Sequence, residues 1–492
     1  MRLSCSVETL SKVRRLWESQ VIAKPAIWKR AAILTAVVLL HGCEWLGTDE
    51  VSVGVRVSGP VGPGLVLQNN GNDDLAITAP GLFEFRTAVE VGSPYSITVA
   101  KQPDDSSVHC VVLHEGRHGI ALPSQAPAVV RCGKVAKLAF IESRLPEHAS
   151  SATAISINSA SGALSPMDSG RVSHNLSGFV FPQGSAYAYA AAGGALLGYS
   201  VDDTRGVFNA LIANPFGVDA VPSRSCVFYV GCVQPRASIG NLVSHPDGKL
   251  IFANYEQYGP CCPAIAVVSA TVAFAVDANT GSLSQSAVSQ GLGFTQDTRI
   301  EPKGRFLYKR FLGDIHIRQP ARVLSYSIDP KTGALSQVGE DFRSNWPESF
   351  EPSGRFAYTV DPDKGSLQSF TVDPSTGVLA TNGEPIASAG LNSLQWSVDG
   401  MFAYGGCSGG LCVFRQDMGS GVPTPLAGSP FPAARVPTNV KIESGGKFVL
   451  AICADAVCVW KLDPDTGVPT QVSGSPFLIP GELAPRSIVP FP

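Results

Sequence analysis

The sequence predicts an all-β chain, a small β-sandwich followed by a seven-bladed β-propeller closed by the C-terminal strand. Three observations carry this. Residues 50–132 alternate apolar and polar side chains in short runs, one unit recurs every 44–46 residues from residue 133 on, and the end of the chain continues the repeat register into the first unit. Among 492 residues there are 50 Gly and 37 Pro, with 44% apolar and 16% charged side chains, a composition that excludes a disordered chain or a long helical rod. Thirty-seven basic against 40 acidic side chains leave a formal charge of −3. That balance excludes a phosphate-tracking groove, so nucleic acid is not expected as a partner. It also means that any membrane contact has to come from a discrete anchor rather than surface charge.

Residues 1–42 read as a signal peptide. Lys29-Arg30 precedes about ten apolar residues, Ala31 to Leu40, which is too short a run for a permanent membrane span. The stretch before it, with Arg14, Arg15 and Glu18, is long for a signal and points to an over-extended start, with Val21 an alternative. Leu40-His41-Gly42-Cys43 resembles the bacterial lipobox, which implies a lipid on Cys43 and a membrane partner through it. Glu44 stands where Asp would signal inner-membrane retention, so the resemblance implies an outer-membrane lipoprotein, periplasmic or surface-facing. Residues 43–49 form the lipidated tether.

With Cys5 and Cys43 set aside, ten of the 12 Cys remain, an even number suited to an oxidising compartment. Four disulfides are expected, Cys110 with Cys132, Cys226 with Cys232, Cys407 with Cys412 and Cys453 with Cys458. The last two have the same spacing at corresponding places of two repeats. Zinc is set aside because the spacing is not that of structural zinc sites and no ligand-bearing His accompanies the pairs. Cys261 and Cys262 are adjacent and either bridge each other or pair elsewhere.

Residues 50–132 carry the sandwich: Val51-Ser-Val-Gly-Val-Arg-Val57, Gly64-Leu-Val-Leu-Gln68 and Tyr95-Ser-Ile-Thr-Val99 alternate with period two, and Asn69-Asn-Gly-Asn-Asp-Asp74 supplies hairpin chemistry. The stretch Gly64 to Leu75 resembles a module found ahead of propellers in bacterial envelope proteins, with a spacer or an adhesive role.

Residues 133–492 carry the ring. Asn or Asp followed four residues later by Gly occurs seven times, at Asn158/Gly162, Asp202/Gly206, Asp277/Gly281, Asp329/Gly333, Asp373/Gly377, Asp417/Gly421 and Asp463/Gly467. The glycines are 44, 75, 52, 44, 44 and 46 residues apart, so the long interval holds an insertion. A second tight turn, such as Pro302-Lys-Gly304 or Pro352-Ser-Gly354, feeds an aromatic strand in each unit. Both are turn elements, the Asp accepting backbone N–H groups and the Gly supplying positive φ. One carboxylate per copy is too few oxygens for calcium. A four-stranded unit of this length repeated seven times is a propeller. Pro485 to Pro492 aligns with Pro437 to Ser444, and Gly133 to Phe140 resumes where that alignment ends. Residues 485–491 therefore form the innermost strand of the first blade, with Ile488 and Val489 expected as its buried side chains.

Gly304-Arg-Phe-Leu-Tyr308 followed by Val323-Leu-Ser-Tyr-Ser-Ile-Asp329-Pro-Lys-Thr-Gly333-Ala-Leu335 resembles the seven-bladed lactonase family, relatives of bacterial 6-phosphogluconolactonase, over about 360 residues. The resemblance implies a site at the ring mouth, with His245 and Glu256 on the family's His-Pro-x-Gly and Asn-Glu positions. Gly240 and Asn241 stand where the family has an Arg-His pair. The Arg at a corresponding inner-strand position is Arg486. Ser177, Asn241, Gln296, Asp297, Trp346, Asn392 and Asn439 face the mouth by register, a polar and aromatic set suited to binding. The expected function is a binding or interaction scaffold for a protein or glycan, without cofactor or metal. The alternative is a lactonase-type hydrolase of a sugar lactone with Glu256 or His245 as base and Arg486 as electrostatic stabiliser.

Overall fold

The computed structural model describes residues 49–491 apart from 115, 145–149, 175–176, 213, 218–235, 259–267, 293–294, 312–321, 342–345, 362 and 480–484. The signal peptide, Cys43, Cys226, Cys232, Cys261 and Cys262 lie outside the described residues.

The repeated turn behaves as its chemistry dictates. Asp329 Oδ1 accepts the N–H groups of Lys331 at 3.0 Å and Thr332 at 2.8 Å, and Gly333, at φ 71°, returns its N–H to the Asp329 carbonyl at 2.8 Å. The other copies repeat it, Asn158 included, with Asp417 accepting the Ser420 N–H at 2.7 Å. Backbone hydrogen bonds of this kind stabilise the ionised carboxylate, so they hold Asp277 and Asp329 below the usual carboxylate range.

These turns also join the blades. The hydroxyl of Tyr308 donates to the Gly377 carbonyl at 2.6 Å, Tyr358 to Gly421 at 2.8 Å and Tyr404 to Gly467 at 2.9 Å, each reaching the next blade. The aromatic ring two residues earlier covers the same glycine so closely that a Cβ on Gly421 would lie 2.3 Å from Phe356. Glycine is thus required at these turns twice, by φ and by its neighbour. This is why the aromatic strand and the Asp-to-Gly turn recur together in the sequence.

The described strands form seven sheets of this kind. Each has four strands in order from the axis outward, and blades 6 and 7 each carry one further short strand, Phe431–Pro432 and Phe477–Leu478. Those two additions were not expected. They follow the repeated Gly-Ser-Pro-Phe stretches, where the Ser429 and Ser475 hydroxyls accept the N–H groups of Val413 and Val459 at 2.9 and 3.0 Å and split the outer strand.

Blade 1 is completed by the C-terminus. Pro485–Phe491 pairs antiparallel with Leu138–Arg144, Phe491 opposite Leu138 and Ile488 opposite Ile141. Ile488 packs with Phe448, Leu450 and Ile452 of blade 7, while Phe491 lies against Phe140 and Phe181 of blades 1 and 2. Val489 is only half-buried, so Phe491 and not Val489 is the second anchor. Val489 and Phe491 share the strand face opposite Ile488, and on that face it is Phe491 that meets the aromatic rings of Phe140 and Phe181.

The sandwich consists of two four-stranded sheets around Val55, Val57, Leu65, Leu67, Ile97 and Val130, with a short two-stranded pairing of Glu50–Val51 and Val89–Glu90 beside them. Cys110 and Cys132 are directly opposed on neighbouring strands and are bonded; Cys407–Cys412 and Cys453–Cys458 are also bonded, each across its hairpin. The strand Ala128–Lys134 ends two residues beyond the expected boundary.

Its strands pair only with one another, yet the sandwich is seated on the turn face of the ring. Arg117, 5% exposed, reaches Asp399 at 3.7 Å, hydrogen-bonds Asp465, and lies against Met401. The His109 Nδ1 donates to the Gly445 carbonyl at 2.8 Å. Burial pushes the Asp399 carboxyl up, opposed by the Ser397 hydroxyl, the Met401 N–H and the Arg117 charge. Arg117→Met leaves that carboxylate without its cation. We expect a loss of about 2–3 kcal/mol in thermal unfolding, partly recovered in the Arg117→Met, Asp399→Asn double variant. Equal loss in both would show that packing rather than charge joins the two parts.

Candidate functional site in the central channel

Each inner strand runs toward a tight turn, and the residue entering that turn is a buried acid in three blades. Glu301, Glu351 and Glu443 are at most 1% exposed. Glu443 accepts the N–H groups of Gly445 at 2.6 Å, Lys447 at 2.5 Å, Phe448 at 3.2 Å and Ala136 at 3.1 Å. These carboxylates are the floor of the inner strands, not a catalytic set. The signal for them was present as Glu301-Pro-Lys-Gly304, Glu351-Pro-Ser-Gly354 and Glu443-Ser-Gly-Gly446, one residue ahead of the recurring turn.

His245 occupies this same position in blade 3. Its Nε2 donates to the Gly304 carbonyl of blade 4 at 3.0 Å and its Nδ1 faces Asp247 at 2.7 Å. The imidazole therefore does for blade 3 what glutamate does elsewhere. Glu256 lies on the neighbouring strand opposite Ser238, whereas Ser244 beside His245 pairs with Ile251. Six residues of strand, about 20 Å, separate those two levels. The two expected catalytic candidates do not meet, because they sit at opposite ends of one blade. Glu256 is buried at 7% exposure and already engaged. Arg486 is exposed at the start of the closing strand.

The expected binding residues divide into four groups. Asn241 donates to Asp297 at 2.8 Å, and Asp297 also accepts the Thr298 N–H at 2.7 Å. Asn392, exposed, donates to the Pro437 carbonyl at 3.1 Å, and Asn439 accepts the Ile488 N–H at 3.0 Å, tying blade 7 to the closing strand. Asn439 holds φ 47°, a conformation Asn tolerates better than most residues. Gln296 is exposed, and Ser177 begins the inner strand of blade 2. Trp346 was expected to face the mouth and is instead 2% exposed, packed with Tyr308 and Phe350 beneath the Arg299 guanidinium, 5.8 Å from its ring centre.

A cavity of about 610 Å³ opens along the axis. Arg299, Ser349, Gln395 and Lys441 line it, each two residues before the turn position of its blade, so the ring sets them at one level around the axis. Glu348, Asn392, Ser393 and Asn439 complete much of the wall. Arg299 lies between two acids, 3.4 Å from Asp297 and 3.3 Å from Glu348. Burial pushes the Glu348 carboxyl up, against the pull of Arg299. Burial and the charge of Arg299 bring the Lys441 ammonium down. Lys441 has no hydrogen bond or ion pair among the described residues. The arrangement holds polar and charged groups around an open space and can take up a hydroxyl-rich molecule. No cluster of three or more metal-ligating side chains occurs among the described residues.

No family model matches the chain, and no curated protein does. Solved structures do. A candidate 6-phosphogluconolactonase of Bacteroides uniformis is 18% identical, with 72% of this chain and 98% of that chain covered and a TM-score of 0.50. A second, from Bacteroides fragilis, is 18% identical over 68% of this chain and 93% of its own, with a TM-score of 0.49. A periplasmic gluconolactonase of Pseudomonas aeruginosa is 17% identical over 72% and 98%, with a TM-score of 0.47. The first of these likenesses establishes a lactonase-like propeller fold for the ring.

Proposed function

We propose that this protein is an envelope lipoprotein whose propeller binds a small hydroxyl-rich ligand, of the class of sugars, sugar acids and their lactones, in its central channel without turning it over. The observation that carries the reading is the axial cavity, lined by amide, hydroxyl and charged side chains from successive blades, while His245 and Glu256 lie at opposite ends of blade 3. The envelope address draws support from the short apolar segment before Cys43 and from the three described disulfides, which persist in oxidising compartments. Cys43→Ser is expected to release the protein from membranes into the soluble fraction; membrane retention of the unacylated form would remove the anchor from the proposal.

A second reading, lactone hydrolysis, is favoured by one feature. Glu348, its carboxyl raised by burial, stands beside Arg299 inside the same cavity, which pairs a proton-accepting group with one able to polarise a ring carbonyl. Calorimetric titration with D-glucono-δ-lactone and with D-gluconate, alongside hydrolysis of the lactone followed by acid release, separates the two. Binding without acceleration over the spontaneous reaction is the expected result. Acceleration that Glu348→Gln abolishes would replace the binding protein with an enzyme.

A further inference from the structure

We infer that the floor of the channel is an oxyanion site in which Lys441 and Arg299 together take the anionic end of the ligand, a carboxylate or a phosphate, while Gln395 and Ser349 lie at the same level. The inference rests on the proposed channel-binding function and deepens it. Its basis is a charge imbalance that the chain leaves open. Arg299 has Asp297 and Glu348 as partners, but Lys441, from a blade three positions further round the ring, has none among the described residues and feels Arg299 as a like charge. Two cations held by separate blades against one cavity repel each other through it. An oxyanion placed between them converts that repulsion into two charge-assisted hydrogen bonds. The groups at this level come from fixed strands of the ring, so little ordering is required on binding.

The titratable groups facing the site are Asp297, Arg299, Arg310, Glu348 and Lys441. Acid neutralises Glu348 and frees Arg299 for the ligand, while alkali removes the Lys441 proton earlier than from an ordinary lysine. Anion affinity therefore falls as pH rises, and the low-pH gain is lost in Glu348→Gln.

Calorimetry on the full-length protein tests this with D-gluconate, inorganic phosphate and the neutral polyol D-glucitol. Gluconate is expected to bind at least tenfold more tightly than glucitol, phosphate to compete with it, and Lys441→Gln to abolish the preference while Lys441→Arg retains it. Comparing the phosphate and gluconate affinities identifies which oxyanion the floor fits better. Equal affinity for gluconate and glucitol, or a preference that survives Lys441→Gln, overturns the oxyanion site and leaves channel binding standing. Absence of binding by all three probes overturns both.

Discussion

A chain ending at Ala484 is expected to melt far below the full-length protein or to aggregate. Residues 485–491 are the innermost strand of blade 1, and losing them leaves the edge of Leu138–Arg144 unpaired at the axis of the ring. Ile488 and Phe491, 0% and 3% exposed, reach blades 7 and 2 from that strand. Burial of two such side chains contributes roughly 3–6 kcal/mol, comparable to much of a domain's net stability. The Asn439 side chain also loses the Ile488 N–H that joins blades 7 and 1. A ring lacking residues 44–132 is the control, because the sandwich gives it no strand and what is lost is a set of side-chain and turn contacts, those of Arg117, His109, His114, Ser106 and Ser107. Should the chain ending at Ala484 melt like the intact protein, the closing strand is dispensable and the ring is held by blade packing alone.

The fold was legible because its determinants are local and repeated. Asp329, Thr332 and Gly333 specify a turn within five residues, and six further copies fix the blade count. Cys407 and Cys412 are legible for the same reason, being placed at the two sides of one hairpin. The site was less legible because it is assembled across blades. Arg299, Glu348 and Lys441 are far apart in sequence, and nothing local marks them as neighbours. Register alone places side chains toward the mouth, whereas the level that lines the cavity lies two residues before the turn. Trp346 shows the consequence, being an aromatic side chain packed with Tyr308 and Phe350 under Arg299 instead of a surface for ligand. His245 shows another, since an imidazole before Pro fits a family motif and a turn equally well until the Gly304 carbonyl of the next blade is seen to accept its hydrogen bond. The seat of the sandwich on Asp399 and Asp465 was not readable at all, because complementary charges on two separately folded parts carry no sequence period.

Lys309→Met is expected to stabilise the protein at neutral pH and to lose that advantage in alkali. Lys309 lies on the second strand of blade 4 opposite Thr298 and Leu324, 1% exposed, with its ammonium 5.4 Å from the Tyr326 ring centre. Thr298 in turn accepts from Asn254 of blade 3 at 2.5 Å, so the lysine is sealed between two blades. Burial alone brings the ammonium down from 10.5 to about 7. Above pH 7 the folded protein carries Lys309 neutral, while the unfolded chain keeps the proton until about 10.4. The unfolded state thus binds more protons throughout that window, and stability rises with pH across it. Below pH 7 both states are charged and the full cost of burying the ammonium is in force, on the order of 3–5 kcal/mol by the same linkage. Methionine has a similar length and no charge, and its sulfur suits the face of Tyr326. Denaturant midpoints at pH 6.5 and 9.5 read the effect directly, with a large gain in the variant at the lower pH that shrinks at the higher one. A variant destabilised to the same extent at both would mean that the buried ammonium is neutralised by a partner and contributes to holding blades 3 and 4 together.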